Sequence, residues 1–386
     1  MGKDNNKIIA HLDMEAFFAS VEEAVTPNFK GLPIVVGSDP KNGTGRGVVS
    51  TANYKAREYG IHSALPISQA WQLSQEAKKQ GKPEAVFLQV DFDLYERVSA
   101  RIFSIIKKYS NLVEPASIDE FYFSAQGANA HGGPASGTGP SSGWNYAVKL
   151  CKKIKKEIKD KEKLTCSIGL GKNKLISKIA AGQNKPDGLT VVLPKDSEKF
   201  LDPLPVRKLP GVGPKTEQVL KEKGINFVKD LKKFSKEQLQ VYLGKWGQDL
   251  YFKARAQDDS EIVTEYEVKS IGEQATFNYD TLSALFVGEK LQEMCQRVFE
   301  RFLQSDFDFC KTISITVRFS DFKTQTSSKS FKPELDQKSF KKFQTEALKL
   351  LLPYLDKRKN PKLKKIRLIG VRVENLSKTL QKPLGI

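Results

Sequence analysis

The sequence predicts an α+β protein of several domains, and three observations carry that expectation. At 386 residues the chain exceeds what one ordinary core organises, so two to four domains are expected. Strand and helix patterns mix through the first half, whereas residues 218–256 read as short helices alone. The last third then reads strand, helix, strand, strand, helix, strand, the order of a small sheet with helices on one face. An apolar fraction of 39% with 23 Phe supports packed cores.

Charge narrows the partners. A net charge of +18 and a pI near 9.5 call for a polyanion, nucleic acid before an anionic membrane. No apolar run approaches the ~18 residues of a spanning helix, so no membrane partner is expected. The start, Met1 to Lys7, lacks the apolar core of a signal peptide. Cys151, Cys166, Cys295 and Cys310 are scattered like buried free thiols of a reduced compartment. A cytoplasmic, nucleoid-associated location is expected, or a nuclear one in a eukaryote. His11, His62 and His131 are too dispersed to suggest a catalytic or metal cluster.

In chain order, Ile8 to Leu12 is a short apolar strand ending at Asp13, and a helix is expected from Met14 to Glu23. Pro33 to Gly37 is a second strand, and the glycines of Gly43 to Gly47 suit a hairpin turn better than a phosphate loop. In Thr51 to Gly60, Tyr54 and Arg57 share a helix face. A phenol beside a guanidinium suits phosphate oxygens, or Arg57 is simply a surface residue over an apolar stripe. A helical pattern then runs from Phe87 to Tyr109.

Ser117-Ile118-Asp119-Glu120 lies between two apolar runs that read as strands. Consecutive strand residues face opposite ways, so Asp119 and Glu120 converge only at a turn or bulge. With a third acid they would seat hard divalent cations; otherwise they are a solvated hairpin turn. Residues 125–143, rich in Gly, Ser and Pro, read as a surface loop. An amphipathic helix with Ala147, Leu150, Ile154 and Ile158 on one face follows. After it come a strand (Leu164 to Gly169), a helix opened by Lys172-Asn173-Lys174, and a turn at Lys185 to Gly188. Lysines at a helix start oppose the dipole, so Lys172, Lys174, Lys178 and Lys185 are expected to be phosphate ligands.

Leu209 to Thr216 holds a Gly-x-Gly turn between two short helices. Such a helix-hairpin-helix presents N–H groups to a DNA phosphate without reading sequence, through Gly211, Gly213 and Lys215. An acidic stretch from Asp258 to Glu267 reads as a linker. Residues 269–386 carry 23 Lys and Arg against 13 Asp and Glu, a net of +10 that suits a clamp on duplex backbone.

Taken together, these motifs resemble the Y-family (translesion) DNA polymerases of the DNA polymerase IV (DinB-like) type, from about Ile8 to Glu374. The resemblance rests on Asp13 to Glu22, Thr51 to Arg57, Ser117 to Glu120, Gly171 to Lys174 with Lys185-Pro186, and Lys365 to Arg372. It implies a right hand: palm 1–17 and 86–192, fingers 18–85, thumb 193–259, linker 260–268, little finger 269–375 and tail 376–386. It further implies that Asp13, Asp119 and Glu120, with the Met14 carbonyl, hold two Mg²⁺, for which Mn²⁺ can substitute. By the same resemblance Asp13 and Asp119 bridge both metals, Glu120 touches only the one that activates the primer, and Phe18 is the steric gate against a ribose 2′-hydroxyl. Tyr54, Arg57 and Lys185 then contact the triphosphate. The family usually has Asp where this chain has Glu15, a position outside its metal ligands. The implied partners are primer–template DNA and deoxynucleoside triphosphates, the implied state is a monomer, and the implied synthesis is low in fidelity, lesion-bypassing and without proofreading. The tail has Gln381 and aliphatics but lacks the aromatic pair of a sliding-clamp peptide. The alternative is a catalytically inactive DNA-binding scaffold of the same fold.

Overall fold

A computed structural model describes residues 7–126 and 140–378. The chain forms two compact units. One comprises the chain up to Thr44 and Val48–Glu265, the other Tyr266–Ile386 with the turn Gly45–Gly47.

In the first unit, β1 (Ile9–Met14) leads into α1 (Phe17–Val25), then β2 (Ile34–Gly37), β3 (Val49–Ala52) and α2 (Tyr54–Arg57). Next come α3 (Ile67–Lys79), β4 (Val86–Leu88), α4 (Phe92–Lys107), β5 (Val113–Pro115) and β6 (Glu120–Ser124). The helix α5 (Pro140–Glu162), β7 (Cys166–Gly171), α6 (Lys174–Ala181) and β8 (Leu189–Val191) complete this part. A five-stranded sheet runs in the order β5-β6-β1-β7-β8, with β1 antiparallel to both neighbours and β7 parallel to β8. Because side chains alternate, Ala10, Leu12 and Met14 enter the core with Ile102, Ile106, Ile154 and Ile158 of α4 and α5. His11 and Asp13 take the opposite face. There α6 packs closely on β7, since a Cβ on Gly169 would lie 2.1 Å from the Ser177 carbonyl oxygen.

A smaller sheet, β3-β2-β4, has its own core of Val35, Val49, Ile61 and Ile67. Short helices follow: α7 (Ser197–Leu201), α8 (Pro214–Glu222), α9 (Val228–Leu231), α10 (Lys236–Leu243) and α11 (Lys245–Lys253). They enclose Leu201, Val206, Leu220 and Leu239, and α6 adds Leu175 and Ile179 to this core. In the second unit, β9 (Ser270–Thr281), α12 (Ala284–Leu303), β10 (Phe309–Phe319), β11 (Thr324–Asp336), α13 (Phe340–Leu351) and β12 (Ile366–Ser377) realise the expected β-α-β-β-α-β order. Its antiparallel sheet runs β11-β10-β12-β9, and Val298, Phe302, Phe343 and Ala347 of the helices pack against it.

Several local expectations are corrected. The first helix begins at Phe17, because Asp13 and Met14 extend β1 and Ala16 turns the chain at φ 42°. The pattern from Phe87 opens as β4, and α4 starts only where the Asp91 side chain accepts the Leu94 N–H. The edge strand β8 went unread. The loop expected at 125–143 falls mostly outside the described residues, though α5 already begins at Pro140. Of the tail, residues 379–386 lie outside them too, and β12 runs on to Ser377. All four cysteines are free and buried. Among the described residues no helix is long and apolar enough to cross a membrane.

Candidate active site

The register of β1 against β6 places Asp13 directly opposite Glu120, and His11 opposite Tyr122. Cross-strand partners share a face, so both acids stand on the α6 side of the sheet end. Asp119 sits one residue earlier, in the turn before β6. The Ser117 hydroxyl donates to its carboxylate at 2.6 Å and accepts the Glu120 N–H at 3.0 Å. The Asp119 carbonyl accepts the Met14 N–H at 3.0 Å, which ties the turn to β1. As expected, the two acids lie at a turn: Asp119 is in it and Glu120 opens β6.

Each acid has its own partner. The Lys185 ammonium lies 2.5 Å from Asp13, and the Lys178 ammonium 2.5 Å from Glu120. Burial pushes the Asp13 carboxyl above the usual carboxylate range, against the pull of Lys185. Burial acts on Glu120 in the same sense but is outweighed, and its carboxyl falls to about 2. His11 and Lys178 both lower it, and of the two the Lys178 ammonium is the one in hydrogen-bond contact. His11 Nε2 is 3.7 Å from Glu120, too long for a hydrogen bond, and neither ring nitrogen has a hydrogen-bond partner among the described residues. Burial also lowers the pKa of His11, favouring the neutral ring. Among the described residues, no three His, Cys, Asp or Glu side chains are gathered closely enough to hold an ion. The donors are nonetheless all hard oxygens at one strand end, and ammonium groups already neutralise two of them.

Around this edge stand the other expected residues. Phe18, on the first turn of α1, stacks on Tyr95 at 4.3 Å and meets Phe92 edge-on at 6.1 Å. The Asn53 side chain caps α2 by accepting the Ala56 N–H, and also accepts the Ile34 N–H of β2. On α2 the Arg57 guanidinium lies 4.8 Å over the Tyr54 ring and donates to the Ala52 carbonyl. The Tyr54 hydroxyl donates to Glu15, and burial together with Glu15 raises its pKa well above the ordinary phenol value.

Residues 12–182 match the impB/mucB/samB family, and residues 268–384 match that family's C-terminal domain. Residues 207–258 match the thumb domain described for DNA polymerase-iota. The chain belongs to this family of Y-family DNA polymerases. It is 42% identical to DNA polymerase IV 2 of Methanosarcina mazei, over 96% of this chain and 92% of that one. To DNA polymerase IV of Methanoculleus marisnigri it is 37% identical, over 96% and 95%. Among solved structures it resembles a chimera of the Y-family polymerases Dbh and Dpo4, with a TM-score of 0.79 and 27% identity, over 96% of this chain and 99% of that one. An insertion ternary complex of Dbh DNA polymerase matches over the same shares, at a TM-score of 0.64 and 27% identity.

In this polymerase the Gly-x-Gly turn of the thumb match lies between a single 3-10 turn, Val206–Lys208, and α8. Gly211 takes φ +95°, with the Trp246 ring 3.4 Å from where a Cβ would lie. The Lys253 ammonium fixes the Pro210 carbonyl at 3.0 Å, and Gly213 precedes α8, which starts at Pro214 and leaves Lys215 exposed.

One of the lysines expected to meet phosphate, Lys174, is ion-paired within the chain. The Lys174 ammonium is held by both oxygens of buried Glu114 at 2.7 and 2.6 Å, and by the Glu261 carbonyl. Its neighbours take it out of the phosphate-binding set. The acidic stretch read as a linker is likewise fastened at its start. Glu114 accepts the Val263 N–H at 2.7 Å, and Asp258 accepts the Leu175 N–H at 2.8 Å. Sequence reasoning also missed His11 and Glu15. For His11 the signal was available: it lies two residues before Asp13, on the same strand face. For Glu15 the signal was only a carboxylate beside an apolar run.

Proposed function

We propose that this polymerase adds deoxynucleotides to a primer 3′ end by metal-assisted phosphoryl transfer at Asp13, Asp119 and Glu120. The single observation that carries the reading is the register placing Asp13 opposite Glu120, with Asp119 in the adjoining turn. Hard oxygen donors of this kind suit Mg²⁺ or Mn²⁺, and those three carboxylates with the Met14 carbonyl are the residues that would hold two ions. When bound, such ions activate the primer hydroxyl and neutralise the leaving pyrophosphate. The chain's own groups do the rest.

Lys185 and Arg57 bring fixed positive charge to the triphosphate, where negative charge builds up. Phe18, braced by Tyr95 and Phe92, presents its ring to the sugar and excludes a 2′-hydroxyl. The Gly211–Gly213 hairpin with Lys215 grips backbone phosphate without reading bases. The +10 surplus of residues 269–386 supplies a second, sequence-independent hold on the duplex. In the right-hand assignment, palm is 1–17 and 86–192, fingers 18–85, thumb 193–259 and little finger 269–375. Synthesis is low in fidelity, passes damaged templates and leaves a mismatched primer end uncorrected.

Asp119→Ala and Glu120→Ala are expected to abolish extension of a primed template while retaining DNA binding. Normal extension by either variant refutes the metal assignment. An inactive scaffold of the same fold would shift the labelled primer in a gel but never lengthen it, even with the native sequence.

A further inference from the structure

We propose that Glu15 is a positioning residue that sets all three nucleotide-binding groups, Tyr54, Arg57 and Lys185, from behind. The inference rests on the reading of those three as triphosphate contacts.

Glu15 is only 3% exposed, and no step assigned above uses it. A buried carboxylate is costly unless its oxygens are bonded, and here they are divided between two parts of the chain. Oε2 accepts the hydroxyl of Tyr54 from α2. Oε1 accepts the Ser167 hydroxyl of β7, and the Asp187 N–H at 3.2 Å. Ser167 in turn accepts the Gly188 N–H at 3.0 Å. Two successive N–H groups of the turn that follows Lys185 therefore hang on the Glu15–Ser167 pair.

That turn has little freedom of its own. Asp187 lies at φ 56°, and a Cβ on Gly188 would meet the Asn184 carbonyl oxygen at 2.1 Å. The Lys155 ammonium braces it from the other side, 2.7 Å from the Asp187 carboxylate and 3.1 Å from the Gly188 carbonyl. On the α2 side, Arg57 rides on the Tyr54 ring as well as bonding the Ala52 carbonyl, so the phenol is one of the two supports of the guanidinium. Glu15 itself is held by its main chain: its N–H donates to the Thr165 carbonyl, and its carbonyl accepts the Ser20 hydroxyl at 2.6 Å. One carboxylate thus spans from α2 to the Lys185 turn, and its place two residues after Asp13 ties both to the strand end that carries the acids.

Steady-state single-nucleotide incorporation on a primed template tests this with Glu15→Gln, Tyr54→Phe and the double variant. The amide keeps the size of Glu15; its oxygen can still accept the Asp187 N–H, but towards Tyr54 it can only donate, so the phenol-to-carboxylate bond is replaced by a weaker neutral one. The expected result is a KM for the nucleotide raised about tenfold or more, the effect of losing a hydrogen bond to a charged group. The kcat changes less, and affinity for primed DNA is unchanged. In the Tyr54→Phe background, where one link is already cut, Glu15→Gln multiplies KM by a smaller factor.

An unchanged KM in Glu15→Gln, or the same factor in both backgrounds, overturns the proposal. The underlying reading fails differently: Tyr54→Phe, Arg57→Ala and Lys185→Ala would all keep the wild-type KM. If Glu15→Gln does not fold, Ser167→Ala serves, because it spares the Glu15–Tyr54 bond and loosens only the turn. It is expected to raise KM by about threefold with the same kcat split, and a wild-type KM there is equally fatal.

Discussion

Replacing Lys174 with Met would separate a structural lysine from a phosphate ligand. The Lys174 side chain is 14% exposed and that of Glu114 only 3%, and the ammonium bonds both carboxylate oxygens. It also lies 4.7 Å over the Tyr122 ring. Methionine keeps the apolar stem and removes the charge that both Glu114 oxygens bond. Breaking a buried pair from one side costs about 3–5 kcal/mol. For a unit of this size that lowers the melting midpoint by roughly 6–20 °C. Pairing Lys174→Met with Glu114→Gln removes the buried negative charge as well and is expected to recover part of the loss, so the two changes are non-additive. Differential scanning calorimetry of the three variants gives the stabilities, and single-nucleotide incorporation gives the KM for the nucleotide, which should stay near wild type. If Lys174→Met melts like the wild type and raises that KM, the reasoning is refuted and Lys174 returns to the phosphate-binding set.

Three further outcomes are expected. Phe18→Ala should admit ribonucleotides in single-nucleotide incorporation, and unchanged sugar selectivity would remove Phe18 as the gate. Lys215→Ala should weaken DNA binding uniformly across sequences and reduce the salt slope of log affinity by about 1. An unchanged slope in titrations across salt concentrations takes Lys215 off the backbone. Gly169→Ala would put a Cβ 2.1 Å from the Ser177 carbonyl oxygen and 2.3 Å from the Ala181 nitrogen, forcing α6 off β7. A lower melting midpoint and weaker extension are expected, whereas Gly288→Ala, inside α12 with nothing within 4 Å of the new Cβ, should gain up to ~1 kcal/mol.

Much of the fold was legible because its signals are local. The last unit shows strand alternation and helical periodicity in clean succession, so its element order could be read directly. Where a segment suits two patterns, the reading failed: Phe87 and Leu88 continue the apolar spacing of α4 but belong to β4. β8 lies in a β-prone run, Leu189 to Leu193, bounded by Gly188 and Pro194, but its parallel pairing to β7 is not a local feature. At the site, residue types pointed to acids and cations, but pairing depends on register and on contacts far apart in sequence. That Asp13 faces Glu120 follows only once β1 and β6 are aligned. That Glu15 bonds Tyr54 and Ser167 requires three separate segments to meet.

The lysines of α6 show why charge alone could not assign roles. Lys174 and Lys178 are four apart and share a helix face, and each meets an acid from the neighbouring hairpin, Glu114 of β5 or Glu120 of β6. From sequence the two are equivalent. Burial separates them: the Lys174 and Glu114 side chains are only 14% and 3% exposed, so an incoming phosphate would have to break a largely buried ion pair. The Lys178 and Glu120 side chains are 34% and 26% exposed, at the strand end beside Asp13. There either partner can be exchanged for a cation or an anion of the substrate at little cost, because water and the new ligand take over the lost contact. On the proposed reading, the pair at the strand end is a resting arrangement, whereas the pair one turn inward is a fastening. The exposure of the carboxylate, rather than the presence of the lysine, tells them apart.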